Sequence, residues 1–236
     1  MGMHKGKLIY ATIYLSVLFA LTGCGGSLGV SARDDGKADL SLLMDTGKAA
    51  SAMISSVMAG LYPSGGAQEG VFSPERAAAL EKGLSESGLE SVRAKALSSS
   101  ALSLEAAAGP ELFSSMVSMG ERSMTLTLSP ETMRGLYRSM DARTRGYADL
   151  FMAPVFTGDS MSGEEYAALI ASVYGTGMAG EISDAVMEIS LSAPEGKKAA
   201  SCSDPGASLS GRRATVFVPL LDLLVLDREL SWEVGW

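Results

Sequence analysis

Few residues of this chain are suited to covalent or metal chemistry. It has one histidine, His4, and two cysteines, Cys24 and Cys202, and no lysine follows a serine by three positions. Acyl transfer by a serine or cysteine nucleophile needs a histidine or lysine base, and a structural zinc needs cysteine and histidine ligands. The location of these three residues therefore decides which reactions remain open to the protein.

His4 and Cys24 both lie in a segment that has the order of an export signal. His4, Lys5 and Lys7 form a short basic region, residues 8–20 are almost continuously apolar, and small residues precede Cys24. The apolar run has the length of a signal-peptide core and is shorter than the roughly 20 residues of a membrane-spanning helix. We expect residues 1–23 to be a signal peptide that is cleaved off.

The sequence Leu21-Thr22-Gly23-Cys24 resembles the lipobox of bacterial lipoproteins, in which a hydrophobic residue and two small residues precede a cysteine. The resemblance covers residues 1–24 alone. It implies that Cys24 receives a diacylglycerol thioether, that cleavage follows Gly23, and that the new amine is usually acylated. Several acyl chains hold a protein firmly, because each buried methylene adds about 0.8 kcal/mol. We therefore expect an exported protein of the bacterial cell envelope, attached to the inner or outer membrane through Cys24.

Removal of residues 1–23 narrows the chemistry of the mature chain. It takes away His4, and acylation of Cys24 leaves Cys202 without a disulfide partner. A Ser-His-Asp triad, a Cys-His pair and a histidine-containing zinc site are then excluded, so we expect no enzyme, no catalytic residue, no metal and no cofactor. Cys202 is expected to be a free thiol in a surface loop. Catalysis by paired carboxylates stays open, because such pairs are recognised only by their geometry.

Two glycine patterns match functional motifs in their letters. Gly25-Gly26-Ser27-Leu28-Gly29 fits the G-x-S-x-G nucleophile elbow, which needs a strand before it and a helix after it. It falls within residues 24–37, for which the Gly/Ser-rich composition predicts a flexible tether. Residues 175–180 fit the G-x-G-x-x-G pattern of dinucleotide sites but follow an amphipathic helix instead of a strand. We expect no nucleotide here, and a tight turn between two helices.

The charge of the chain limits its partners. The 19 basic and 27 acidic residues give a net charge of −8, which falls to about −10 when residues 1–23 are removed. Phosphate contacts need clustered Lys and Arg, so a nucleic-acid partner is excluded. Anionic headgroups would repel the chain, so membrane attachment rests on the lipid. The hydrophobic fraction of 47% is sufficient for a folded core.

Methionines and aromatic residues are the remaining candidates for binding. Most of the 14 methionines fall at apolar positions of predicted helices and strands. This favours an adaptable core, and leaves open a cavity or groove for an acyl chain or hydrophobic peptide. The apolar segment 147–156 is a partner site if it is exposed and a plug between helix and sheet if it is buried. Trp232 and Trp236 are expected to anchor a core or an edge strand.

The order of elements predicts an α+β fold for residues 38–236, a single domain with a single, mainly antiparallel sheet and helices packed on one face. Alternating apolar residues predict strands, among them one at residues 38–44. Helix starts are predicted at Ser73-Pro74-Glu75 and at Ser162, which has Glu165 three positions later. Two terminal apolar runs around Asp227-Arg228 predict a C-terminal β-hairpin.

Three functions fit these observations. The first is a lipid-anchored, non-enzymatic binding or structural module of the cell envelope, with an envelope protein as its partner. The second is a carrier or chaperone for a lipid or other apolar ligand. The third is a carboxylate-dependent envelope hydrolase, which needs two acidic side chains about 5–9 Å apart in a cleft.

Overall fold

The computed structural model describes residues 25–61, 72–86, 88–109, 116–139 and 149–236. Cys24 and the expected signal peptide lie outside the described residues. Within the described part of the chain, two β-sheets and several helices surround one hydrophobic core. The α+β class predicted from the sequence is therefore confirmed.

The first described residues form a strand at the centre of the larger sheet. Strand β1, Gly25–Ala32, pairs antiparallel with β2, Ala38–Asp45, and parallel with β7, Val186–Ser192. Both of its edges are therefore hydrogen-bonded to a neighbouring strand.

The prediction of a flexible tether over residues 24–37 is consequently wrong from Gly25 onward. Leu28, Val30 and Ala32 are each 3% exposed or less, because every second residue of β1 points into the core. This burial outweighs the conformational freedom of the glycines between them. Of the described residues 25–37, those at 33–37 form a turn and the others belong to β1.

The large sheet has seven strands in the order β3-β4-β2-β1-β7-β10-β9. All neighbouring pairs are antiparallel except β1 and β7, so the mainly antiparallel character is confirmed. The remaining members are β3, Glu90–Ala96; β4, Ala101–Ala108; β9, Ser208–Ser210; and β10, Arg213–Pro219.

A second, small sheet has four antiparallel strands in the order β5-β6-β11-β8. The expectation of a single sheet thus differs from the structure. The strands of the small sheet are β5, Val117–Met119; β6, Ser123–Leu128; β8, Ser201–Cys202; and β11, Leu230–Gly235.

The predicted C-terminal hairpin does not form. A short helix, Leu220–Leu224, separates β10 from β11 and buries Leu220, Leu223 and Leu224. β11 therefore crosses to the small sheet, where it pairs with β6 and β8. Its register places Trp232 opposite Leu126.

Two of the helices begin at capping signals that the sequence carries. The helix Pro74–Glu86 starts directly after Ser73, and Gly163–Tyr174 starts after Ser162 with both hydrogen bonds of a capping box. The pKa of Glu165 lies below its ordinary value, because its carboxylate accepts hydrogen bonds from the Ser162 backbone and side chain. The helices are α1, Lys48–Leu61; α2, Pro74–Glu86; α3, Pro130–Ser139; α4, Pro154–Thr157; α5, Gly163–Tyr174; α6, Thr176–Asp184; and α7, Leu220–Leu224.

One face of the large sheet, here called the inner face, is buried by the helices. Leu42, Ile189 and Val216 point to this face and belong to the same core cluster as Ile170 of α5 and Ile182 of α6. The other face, the outer face, carries the alternate residues of each strand. The prediction that helices pack on one face is therefore confirmed.

Candidate functional site

The candidate lipidation residue Cys24 directly precedes the first strand. Gly25 has a φ of +118°, and a Cβ there would lie 2.8 Å from the carbonyl oxygen of Val186. A glycine is needed at this point, because other residues rarely adopt such a φ and the backbone of β7 leaves no room for a side chain. The strand at the centre of the sheet therefore begins at the residue that follows the candidate Cys24.

The opposite end of β1 carries an open cleft of about 550 Å³. It lies between the β1–β2 turn, the β5–β6 turn and Trp236. Backbone pairing holds Trp236 here, since its N–H donates to the Arg122 carbonyl oxygen over 2.9 Å. The charged residues of its walls carry both signs and are Arg33, Asp34, Glu121, Arg122 and Lys197. A cleft with this lining can bind polar or charged groups.

A second cleft of about 450 Å³ adjoins the first on the other side of Arg33. The Arg33 guanidinium lies 3.2 Å from an Asp35 oxygen and 3.3 Å from an Asp39 oxygen, and these carboxylates are about half exposed. Asp34, Glu195 and Arg212 complete its charged lining. The acid of a glycosidase, in contrast, sits in an apolar pocket. These carboxylates have the setting of exposed ion pairs.

Neither glycine motif has the structural context of the site it resembles. The G-x-S-x-G residues lie inside β1, which is followed by a turn and β2, whereas a nucleophile elbow joins a strand to a helix. Gly175 joins α5 to α6 with a φ of +92°, as expected for a tight turn between two helices. The second motif follows a helix, so the strand of a dinucleotide site is missing at that position.

Cys202 is a free cysteine, and it lies in β8 instead of a loop. It pairs with Val234 of β11 and is half-buried against the core. The surface loop expected around Cys202 therefore contains two short strands, β8 and β9.

The methionines whose side chains the structure describes pack in the core or against it. Met44, Met124 and Met187 are 0% exposed, and Met53 and Met119 pack against the same cluster. Met140 lies outside the described residues. These side chains fill space between strands and helices, which fits the adaptable-core interpretation.

The apolar segment before α4 is a plug, in agreement with one of the two sequence interpretations. Phe151 is 1% exposed, and its carbonyl oxygen accepts a hydrogen bond from the Tyr166 hydroxyl over 2.7 Å. Burial raises the pKa of the Tyr166 hydroxyl well above its ordinary value, with a smaller contribution from nearby Tyr174. Phe156 stacks on Tyr137 with ring centroids 5.4 Å apart. Tyr147 and Ala148 lie outside the described residues.

No group of three or more His, Cys, Asp and Glu side chains among the described residues is arranged to hold a metal ion. No helix of the described chain is long and apolar enough to cross a membrane. Comparison of the whole chain with known protein families, curated proteins and solved structures gave no match.

Proposed function

We propose that this protein is a lipid-anchored, non-enzymatic binding or structural module of the bacterial cell envelope, exported and acylated at Cys24. The observation that carries the proposal is the lipobox-like sequence Leu21-Thr22-Gly23-Cys24 after a basic and apolar segment. The start of β1 at Gly25 is consistent with it, since cleavage before Cys24 would leave every strand of the fold intact.

The geometry of β1 relates the anchor to the clefts. Seven steps of about 3.3 Å along the strand separate Gly25 from Ala32 by roughly 23 Å. The clefts around Arg33 and Trp236 are therefore at the end of the sheet that faces away from the proposed anchor. An anchored module would present this mixed-charge surface to an envelope partner, and its chemistry fits a polar protein surface better than an apolar ligand.

The two other functions have less support. A carrier for an apolar ligand would draw on the methionines, and those of the described residues pack in the core. A carboxylate-dependent hydrolase would draw on the acidic residues of the second cleft, where Asp35 and Asp39 are exposed and paired with Arg33. The binding or structural module remains the best-supported function.

Intact mass spectrometry of the membrane fraction tests the anchor. We expect the wild-type chain to have the mass of residues 24–236 plus acyl groups, and Cys24→Ala to lose both the acyl mass and the membrane association. Cys202→Ala is the matched control, because it removes the other cysteine and should keep both. An unacylated wild-type chain, or a Cys24→Ala chain that stays on the membrane, overturns the proposal.

A further inference from the structure

Exposed apolar side chains gather at the Cys24 end of the large sheet. Among the described residues, six large apolar side chains are prominently exposed, and four of them lie at this end. They are Leu43, Leu97, Val186 and Phe217, with exposed fractions of 44%, 51%, 42% and 65%. We call these four residues the apolar end patch.

The strand register places the patch on one face. Ser27 of β1 lies opposite Leu43 of β2 on one side and Glu188 of β7 on the other, and Glu188 lies opposite Phe217. Side chains of directly opposed residues point to the same side of a sheet, so Leu43 and Phe217 share the outer face. Val186 precedes Glu188 by two residues and therefore points the same way.

Leu97 joins this face at the turn between β3 and β4. Its N–H donates to the Ala101 carbonyl oxygen over 2.9 Å, and Ala101 lies opposite Asp45, which in turn lies opposite Gly25. Leu97 and Val186 are therefore level with Gly25, and Leu43 and Phe217 are one step further along the sheet.

Beyond the patch, the outer face of the four central strands carries polar residues and one glycine. The next row of opposed residues is Ser41, Gly29, Ser190 and Thr215, and the row beyond it is Asp39, Ser31, Ser192 and Arg213. On these four strands, exposed apolar side chains are thus confined to the end of the face that adjoins Cys24. Such a confined, exposed apolar surface is typical of an interaction site.

We propose that the apolar end patch inserts into the headgroup region of the bilayer that holds the acyl chains of Cys24. This inference rests on the proposed acylation. Cys24 is one residue from Gly25, and the Leu43–Phe217 row is two residues beyond it, which amounts to roughly 7 Å along the strand. Apolar residues of interfacial proteins are buried about 5–10 Å into this region. An acyl group at Cys24 therefore brings the patch to the depth at which it contacts lipid.

The chemistry of the patch favours a zwitterionic lipid surface. Glu188 and Asp45 lie among the patch residues, and the whole chain is acidic. Attraction to anionic headgroups therefore contributes little, and apolar burial is the driving force. The contact should accordingly be insensitive to salt.

Tryptophan quenching in vesicles tests the contact. The full chain carrying Phe217→Trp is purified from membranes with its acyl mass verified, and reconstituted into phosphatidylcholine vesicles with and without brominated acyl chains. We expect the bromines to remove most of the emission that the new tryptophan adds to that of Trp232 and Trp236. Leu43→Trp is a second reporter on another strand and should respond alike.

Arg213→Trp is the matched control. It lies on the same strand and the same face as Phe217, four residues away, which is roughly 13 Å. Its added emission should be unchanged by the bromines. If the acylated Phe217→Trp and Leu43→Trp chains are quenched no more than Arg213→Trp, the docking proposal is overturned while the anchor proposal stands.

Two other outcomes also decide the matter. An emission of Phe217→Trp that is blue-shifted but not quenched means that protein covers the patch, such as a second copy of the chain, and it overturns the docking proposal. A chain without acyl mass overturns the anchor proposal and this inference together.

Discussion

Leu28 provides a direct test of the position of β1, because a leucine in a flexible tether would add nothing to stability. Its side chain is 1% exposed and lies opposite Leu42 and Ile189 of the two neighbouring strands. Truncation of such a buried leucine to alanine lowers the free energy of unfolding by about 2–5 kcal/mol. With a urea dependence of about 2–3 kcal/mol per M, Leu28→Ala should lower the unfolding midpoint by roughly 1–2 M.

The assay is urea unfolding followed by circular dichroism, in a chain that starts at residue 24 and carries Cys24→Ala to avoid acylation. Ser31→Ala is the matched control, since Ser31 is in the same strand and points to the outer face. Its effect should stay within about 0.5 kcal/mol. If Leu28→Ala is as stable as Ser31→Ala, then β1 does not contribute to the core and our account of this segment is refuted.

Three further changes have defined outcomes. Ser162→Ala removes the capping oxygen of α5 and should lower the free energy of unfolding by about 1 kcal/mol in thermal denaturation, and no change would contradict the capping box. Burial raises the pKa of Tyr166, so the folded state loses stability as the pH rises above about 10. In alkaline unfolding curves Tyr166→Phe should lose less stability than the wild-type chain, and equal losses would contradict this expectation. Mild protease should release the domain from membranes when a Gly-Ser spacer follows Cys24 and not otherwise, and equal release would argue against a strand at Gly25.

Several elements could be predicted because their signals are local. The alternation of Leu40, Leu42 and Met44 with polar residues predicts β2, and the structure has a strand at Ala38–Asp45. The capping hydroxyls of Ser73 and Ser162 mark the starts of α2 and α5. Each signal depends on a few neighbouring residues, so it does not require knowledge of the tertiary structure.

Other elements depended on competing or distant effects. Leu28, Val30 and Ala32 occupy every second position of β1, as the apolar residues of β2 do in that strand. The glycines and serines around them nevertheless predict a flexible tether. The apolar run at Leu220–Leu224 is compatible with a strand or a helix. In the structure it is a helix, which separates β10 from β11. The predicted hairpin is therefore wrong, because a helix lies between the two strands and the local sequence does not distinguish that helix from a strand.

The candidate functional residues also differ in whether the local sequence is sufficient to predict them. Cys24 can be proposed from the sequence alone, because the lipobox that residues 21–24 resemble is a contiguous motif. The apolar end patch cannot, because Leu43 and Phe217 are far apart in the chain and come into the same row of the outer face only through the register of β2, β1, β7 and β10. Register depends on the whole sheet, and a shift by one residue would turn these side chains into the core.

The direct passage from Cys24 into β1 changes what an anchor at this residue does. A flexible segment of the length first expected, residues 25–37, would have a mean span of roughly 20 Å and would let the domain turn freely above the membrane. Without it, the direction of β1 would set the orientation of the domain, since Gly25 already pairs with Asp45 of β2 and Gly26 pairs with both Met44 and Met187. With the proposed acylation, the patch would be held against the bilayer and the clefts around Arg33 would be held away from it. An anchor of this kind would fix the orientation of the domain instead of letting it move away from the membrane. A fixed orientation suits a module that presents one surface to its partner.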